Sequence, residues 1–502
     1  MKIIECIEQF ISGDWGDDSY SEDSPCKVSC VRGADIVPID NNDFQHIPTR
    51  FISQHSFDTK CLQAGDIVVE KSGGSPTQST GRVAYISPEL IDSVGPIVCS
   101  NFCVAFRVKD DWKPLYIFYY LQYMYNNGVF FNFEGKTSGL KNLQLEAAYQ
   151  AVPIENISKS EQDKIVGVLD NIHRKITINR QINQNLEALA RQLYDYWFVQ
   201  FDFPDENRNP YKSNGGKMVW NNHLKRDIPQ GWDVKELGDL LEKIDSGKRP
   251  AGGIDKSLKS GIPSLGAECI DKLGEFDFSS TPYISEDYRS LLTTGRIEDN
   301  DILVYKDGAY VGKVTLFRDQ FPYEEAFVNE HVFLIKAKNV KMEEYLLFTL
   351  MSRTYFQIMQ SLGKAKAAQP GLNQSDLKKI LILQPKSDII TKFHNIVEPH
   401  FKALFSNAKQ IERLVNSRNE ILPLLMSGQV RIRQLNSDLS LQLLLLNIVK
   451  NGKKCRLRSL VASRRVGPAR IAGQRWPKRR TKALILKWGA QSFVFVRKHY
   501  PR

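Results

Sequence analysis

The chain has 502 residues, of which 42% are apolar and 25% charged. That leaves room for roughly two to four domains and is the balance of a soluble globular protein. The formal charge of +11 misleads, because from Gln434 onward 17 Lys and Arg stand against one Asp, while the 433 residues before carry 51 basic and 56 acidic groups, net −5; whole-chain basicity is therefore poor evidence for nucleic-acid binding, and the longest apolar run, 439–449, is too short to cross a bilayer.

The opening Met-Lys-Ile-Ile-Glu lacks the apolar stretch of a secretory leader. The eight cysteines then read as reduced thiols, and a cytoplasmic location is expected. Residues 1–156 form a first globular unit. Ile11-Ser-Gly-Asp-Trp-Gly opens a turn, and 65–86 reads as strand, Gly/Ser/Thr-rich loop and strand. Residues 97–108 (IVCSNFCVAFRV) read as one strand with Cys99 and Cys103 on one face. Together with Cys26 and Cys30 they invite a zinc site, but the spacing is not that of a knuckle and no His is suitably placed, so core thiols are the preferred reading. Residues 114–126 (PLYIFYYLQYMYN) predict an aromatic helix under a sheet, and Lys136-Thr-Ser-Gly a basic closing loop.

A long helix follows over 157–200, with Ser160 as its N-cap and Asp163 in its first turn. One column steps by fours and threes: Ile165, Leu169, Ile172, Ile176, Asn179, Asn183, Leu186, Ala190, Leu193, Trp197. That 3.5-residue period is the seam of a coiled coil, and Asn inside a seam fixes register and partner at a cost in stability. Such a helix is roughly 60 Å long at 1.5 Å per residue, too long to stand without a partner. Tyr194 and Trp197 at its end read as packing or partner contacts.

Residues 201–228 form an ordered connector, in which Phe201, Phe203, Tyr211 and Trp220 suggest packing. A second unit, 229–386, repeats the plan of the first. Ile244-Asp-Ser-Gly answers Ile11-Ser-Gly-Asp, and 300–317 answers 65–86. EHVFLIKA answers FCVAFRV, YLLFTLMSRTYFQIMQSL answers the aromatic helix, and GKAKAAQPGLNQSDL answers the Lys136 loop. A second long helix, 387–428, has the column Val397, Phe401, Leu404, Ala408, Ile411, Val415, Arg418, Leu422, Leu425. Pro399 should bend it or mark where the regular seam begins. Pro153 matches Pro385, Gly139-Leu140 matches Gly371-Leu372, and Leu145 matches Leu377. The chain is a tandem duplication whose framework persists while its loops diverge, as two recognition modules with different targets would. Residues 429–502 form a basic tail that could bind phosphates non-specifically or be a frameshifted or read-through extension without a selected fold.

This arrangement resembles the specificity subunit of type I restriction-modification systems. The resemblance covers about residues 1–430. It rests on Gly65-Asp66-Ile67-Val68 answered by Asp301-Ile302-Leu303-Val304, on the S-G-L and P-G-L turns with Pro153 and Pro385, and on the two long helices. It rests above all on WFVQFDFPDENRNPYKSNGGKMVW followed by IPQGWDVKELGDL. What it implies is a mixed α/β (α+β) fold, a pseudo-twofold tandem repeat of two globular target-recognition domains separated by two long antiparallel coiled-coil helices. It further implies a non-catalytic subunit that reads one half of a bipartite double-stranded DNA site with each domain. The helices would set the half-site spacing and dock two modification (methyltransferase) subunits, and restriction (motor and nuclease) subunits would join them. S-adenosylmethionine, ATP and Mg are then expected on those partners, with no cofactor and no metal in this chain. The sequence departs from the family pattern in two places. The first unit lacks the opening Gly-Trp-Asp-Val-Lys-Glu-Leu-Gly of the second, and the basic tail has no counterpart.

Catalytic motifs are missing in the same sense. Asn209-Pro210-Tyr211 is only part of an adenine methyltransferase motif and lies in the connector. Gly135-Lys136-Thr137 ends like a phosphate-binding loop, but Phe130 stands where its first Gly belongs. Glu134-Gly135-Lys136 mimics a nuclease Glu-x-Lys without a metal-binding Asp. DNA contact therefore falls to polar and basic loop residues. The candidates are Lys71, Ser72, Arg82, Lys136, Thr137 and Ser138 in the first unit, and Lys248, Arg249, Lys306, Lys313, Lys364 and Lys366 in the second. Two rivals stay open: a self-sufficient enzyme, and a structural or regulatory coiled-coil DNA-binding protein without methyltransferase partners.

Overall fold

The computed structural model describes residues 1–432, apart from 76–77, 138–139, 251–252, 256, 267–269, 271, 309–310 and 365–370. Beyond Ile432 it describes the backbone of one hairpin, Ala483–Trp488 with Gln491–Val496. The chain divides into two compact units, Met1–Thr177 with the chain from Arg413, and Ile178–Glu412. No helix among the described residues is long and apolar enough to cross a membrane.

In the first unit a four-stranded antiparallel sheet has the order β1 (Ile7–Ser12), β8 (Cys103–Val108), β4 (Ile67–Glu70), β6 (Val83–Tyr85). A second sheet sets β2 (Cys26–Val31) antiparallel to β3 (Thr49–Ile52) and parallel to β7 (Ile97–Cys99). A third joins β5 (Ser72–Gly73), β10 (Leu140–Leu143) and β9 (Glu134–Thr137). The aromatic helix is Pro114–Asn126, as its apolar run predicts. A hairpin of β11 (Met218–Asn221) and β12 (Arg226–Pro229) then precedes β13 (Asp233–Glu236). The second unit repeats the four-stranded order with β14 (Leu241–Ser246), β20 (Val332–Ala337), β17 (Ile302–Tyr305) and β18 (Val314–Leu316). It also sets β15 (Ile262–Leu265) antiparallel to β16 (Tyr283–Ile284) and parallel to β19 (Phe327–Val328). The duplication read from the sequence is thus a duplication of strand order.

The Gly-Asp and Asn-Asp dipeptides have a backbone reason. Gly65 and Asn300 sit at φ of +100° and +68°, where glycine and asparagine are best tolerated. The following Asp66 and Asp301 each accept a backbone N–H at 2.8 Å, from Gln63 and Glu298, which closes the turn and launches a strand that is buried throughout after Asp66 and buried but for Tyr305 after Asp301. The repeats then differ. Arg107 pairs with Asp66 at 2.9 Å, whereas Lys336, at the same place on β20, pairs with Glu298 at 2.7 Å. Asp301 keeps a buried oxygen with no partner among the described residues, and burial pushes its carboxyl up to about 6.

Several expectations are corrected. IVCSNFCVAFRV is two strands, because the chain turns at Ser100–Phe102 and sends β7 and β8 into different sheets. The Lys136 segment is strand β9 of a hairpin, not a loop. The counterpart of the aromatic helix is two helices, Glu343–Met351 and Arg353–Lys364. Leu143, not Leu140, holds the place of Leu372: each donates its N–H to the carbonyl of Lys71 or Lys306 (2.8 and 2.7 Å). In the same way Val152 answers Ile380, since each accepts the N–H of the first residue of a short helix at the start of its unit, Ile3 (3.2 Å) or Leu237 (2.7 Å), so Pro153 stands opposite Leu381 rather than Pro385. β13 pairs with β21 (Leu381–Gln384), whereas the first unit has only the Lys2–Pro153 bridge there.

The first long helix is Lys159–Tyr194, continued by a π-helical turn, Asp195–Val199. Its cap is Ser158 rather than Ser160. The Ser158 hydroxyl accepts from Glu161 N–H at 3.3 Å, and the Glu161 carboxylate reaches back to the Ser158 N–H, a capping box. The second long helix, Ser387–Met426, runs through Pro399 without interruption and ends at Gly428, φ +67°. In the second unit the two helices pair antiparallel. Asn183 donates to the Leu404 carbonyl at 3.1 Å and accepts from Asn407 at 3.1 Å, and Asn179 donates to Gln410 at 2.6 Å. In the first unit Arg431 pairs with Glu155 (2.8 Å) and Glu161 (3.2 Å). The connector packs as expected through Phe203, stacked on Tyr211 and Trp232, but Trp220 is 60% exposed.

At the head of the Glu343–Met351 helix two glutamates are buried side by side. Glu344 pairs with Arg318 Nη1 and meets His394 Nδ1, both at 2.8 Å. Burial, and then the charge of Glu344, push the Glu343 carboxyl up to about 8 from 4.5. The folded state therefore keeps a proton that the unfolded chain gives up, so stability falls as pH rises from about 4.5 to about 8 and is flat above. Glu343→Gln is expected to shrink the loss of melting temperature between pH 5 and pH 8, measured by thermal unfolding; an unchanged pH profile would mean that Glu343 is ionised in the fold.

Candidate nucleic-acid interface

Each repeat builds one platform from the same backbone bonds. In the first unit β4 ends at Glu70, and Lys71 and Ser72 both donate their N–H to the Phe102 carbonyl at 2.9 Å. The Lys71 carbonyl accepts from Leu143. Ser72 then pairs with Asn142 of β10, through backbone and side chain, and Lys136 of β9 faces Lys141. Lys71, Ser72, Lys136 and Thr137 are thereby gathered on and beside one three-stranded sheet. The side chains of Lys136 and Thr137, and all of Ser138, lie outside the described residues. Glu134 anchors the adjoining loop: it accepts from Thr80 N–H (2.7 Å) and Oγ1 (3.1 Å) and pairs with Lys141 (3.3 Å).

Arg82 stands apart. Its guanidinium forks onto Glu70 at 2.8 and 2.7 Å, and those hydrogen bonds raise its affinity for its proton. The Glu70 carboxylate is buried beneath Gly33 and Gly73, where an added Cβ would meet Oε1 at 2.6 and 2.9 Å. Arg82 therefore balances a buried charge.

In the second unit Lys306 donates its N–H to the His331 carbonyl (3.0 Å) and accepts from Leu372, as Lys71 does with Phe102 and Leu143. Its ammonium reaches Ser246 Oγ at 3.2 Å and lies 4.7 Å over the Phe333 ring. Arg249 is exposed, with Nε 2.7 Å from Glu330 and Nη2 3.0 Å from His331 Nε2, and His331 Nδ1 meets Asp307 at 2.9 Å. Lys248 is exposed beside it, and Lys313 is exposed where its carbonyl accepts from Tyr305. Lys364 ends its helix exposed, and Lys366 lies outside the described residues. Sequence reasoning missed Phe102, Glu330 and His331, because it placed Phe102 inside a strand and His331 had no partner in sequence.

Among the described residues no group of His, Cys, Asp and Glu is placed to hold a metal ion. Cys30, Cys99 and Cys103 are buried free thiols, and burial pushes Cys30 up to about 12 and Cys103 to about 11, which leaves them protonated and inert. The motif fragments are structural: Glu134 and Lys136 are strand residues, and Pro210 bridges Pro204 in the connector.

Residues 49–188 and 229–416 match the family model described as type I restriction modification DNA specificity domain. The chain is 28% identical over 288 residues to the type I restriction enzyme MjaIX specificity subunit of Methanocaldococcus jannaschii, covering 57% of this chain and 62% of that one, so it spans less than two thirds of that relative. To the HindI specificity subunit of Haemophilus influenzae it is 23% identical over 319 residues, covering 54% and 68%. A crystal structure of a type I restriction-modification S subunit from M. genitalium aligns with a TM-score of 0.48 at 15% identity, over 85% of this chain and 95% of that one.

Arg82→Ala is expected to destabilise the first unit by about 3–5 kcal/mol in chemical denaturation, since it leaves the Glu70 carboxylate buried and unpaired; Glu70→Gln in the same chain should recover part of the loss. Unchanged stability in the single variant would assign Arg82 to an external partner instead.

Proposed function

Because the chain belongs to the type I restriction modification DNA specificity domain family, we propose that it is the non-catalytic subunit that directs a type I modification and restriction complex to its DNA. Each repeat reads one half of a bipartite double-stranded site. The observation that carries this reading is the pair of platforms: the same backbone clamp on Lys71 and on Lys306, surrounded by different side chains. A constant frame presenting divergent polar and basic groups is what reading two different half-sites requires, with lysines for phosphates and Arg, Asn, Gln, Ser and Thr for base edges.

The two long helices set the spacing between half-sites, as dimer geometry does in other DNA-binding proteins. They also offer faces on which two modification subunits dock, and restriction subunits join that assembly. S-adenosylmethionine, ATP and Mg then belong to the partners, and this chain contributes recognition alone. A cytoplasmic location follows from the same assignment.

The test is a map of adenine methylation across the genome, with this gene intact and deleted, beside an intact modification subunit. Loss of one bipartite methylated motif on deletion is the expected result; an unchanged map would contradict the assignment.

A further inference from the structure

The two repeats differ most informatively at one tripeptide. Ser100-Asn101-Phe102 joins β7 to β8, and Asn329-Glu330-His331 joins β19 to β20. Their backbones are superimposable in hydrogen bonding. Ser100 N–H donates to Val31 and Asn329 N–H to Leu265, each at the end of the matching strand. Cys103 N–H returns to Ser100 and Val332 N–H to Asn329. The third residue of each turn offers its carbonyl to the platform lysine. The chain crossing behind is held too: a Cβ on Gly13 would lie 2.0 Å from the Ser100 carbonyl oxygen, and one on Gly247 1.5 Å from that of Val328, so glycine is required at both. Two residues beyond these glycines stand Trp15 and Arg249.

On this common frame the side chains have different chemistry. In the second repeat Arg249 is braced by Glu330 and His331, and His331 in turn by Asp307. A guanidinium has five donors in a planar fork; two are engaged here, so donors remain for an acceptor outside the chain. In the first repeat Trp15 is covered by Arg50 at 3.9 Å, and Phe102 projects with 54% of its surface exposed beside the exposed Lys71. With more than half of its surface exposed, Phe102 is not a core residue.

We infer that this turn distinguishes the two half-sites: Arg249, oriented by Glu330 and His331, reads a guanine edge, and Phe102 packs on a thymine methyl. A braced arginine suits the paired acceptors of guanine, and an apolar ring suits the methyl group of thymine. The inference rests on the DNA-reading assignment above and adds the residues and the base class to it.

Selection of random duplex DNA by the full chain with its modification subunit tests it, using wild type, Arg249→Gln, Arg249→Lys and Phe102→Ser. All three substitutions are at exposed positions, and circular dichroism checks folding. Arg249→Gln and Arg249→Lys should each weaken the preference for guanine at one position of one half-site roughly tenfold, leaving the other half unchanged. With thymine replaced by uracil one position at a time in the selected duplex, wild-type binding should fall about fourfold at one position of the other half, and Phe102→Ser should abolish that difference; no such position in wild type would overturn the Phe102 assignment. Uniform weakening across all sequences with Arg249→Gln would place Arg249 on phosphate and overturn its assignment. Unchanged motifs with every variant would overturn the inference while leaving DNA reading intact. A wild-type complex that selects no motif would overturn the proposed function and this inference together.

Discussion

The hydrogen bonds of Asn183 across the seam of the two long helices are the constraint on which the rest depends. An apolar seam of this period tolerates sliding by a heptad, because Leu, Ile and Ala fill equivalent holes. Asn183 does not tolerate it. It is buried, and its amide must find the Leu404 carbonyl and the Asn407 side chain together. A slipped pairing would bury these groups unsatisfied, at a penalty of about 1–3 kcal/mol each. The register of the helix pair within the second unit is thereby fixed.

Beyond the seam, the duplication is conserved in backbone requirements more than in residues. Gly65 and Asn300 share a left-handed conformation, Asp66 and Asp301 share a turn, and Gly13 and Gly247 share a close approach to a carbonyl. Charge partners are freer. Asp66 has Arg107, while beside Asp301 the equivalent Lys336 pairs with Glu298 instead, and burial pushes the Asp301 carboxyl up to about 6. Freedom is greatest at the platform turns, where the backbone is satisfied: Ser100 and Asn329 are buried, but Asn101 and Phe102 are exposed and Glu330 and His331 half-buried. Side chains can change there without disturbing the fold.

Much of this was legible in the sequence. Periodicity locates both helices and the seam Asn residues, and the apolar runs locate the central strands and the aromatic helix. The failures have physical causes. IVCSNFCVAFRV is apolar on both sides of its turn, so period and composition pass over Ser100-Asn101-Phe102; the break is set by sheet pairing. Pro399 looks like a helix breaker, yet the buried Phe393, Val397 and Phe401 carry the helix through it. Ser158 outcompetes Ser160 as cap because Glu161 completes its capping box. Arg82 has the composition of a DNA contact, and only the structure reveals the buried carboxylate it serves. Trp220 has the composition of a core residue but sits exposed on the connector hairpin.

The central claim is that one helix pair positions two readers on one DNA. It is tested most directly by inserting seven residues into both helices, after Thr177 and after Glu412, so that the seam keeps its phase. Each helix lengthens by about 10 Å at 1.5 Å per residue, equal to about three base pairs at 3.4 Å each. Methylome sequencing of cells carrying the lengthened chain should return the same two half-sites with a spacer about three base pairs longer. The same half-sites at the original spacing, from a folded and active complex, would contradict the account.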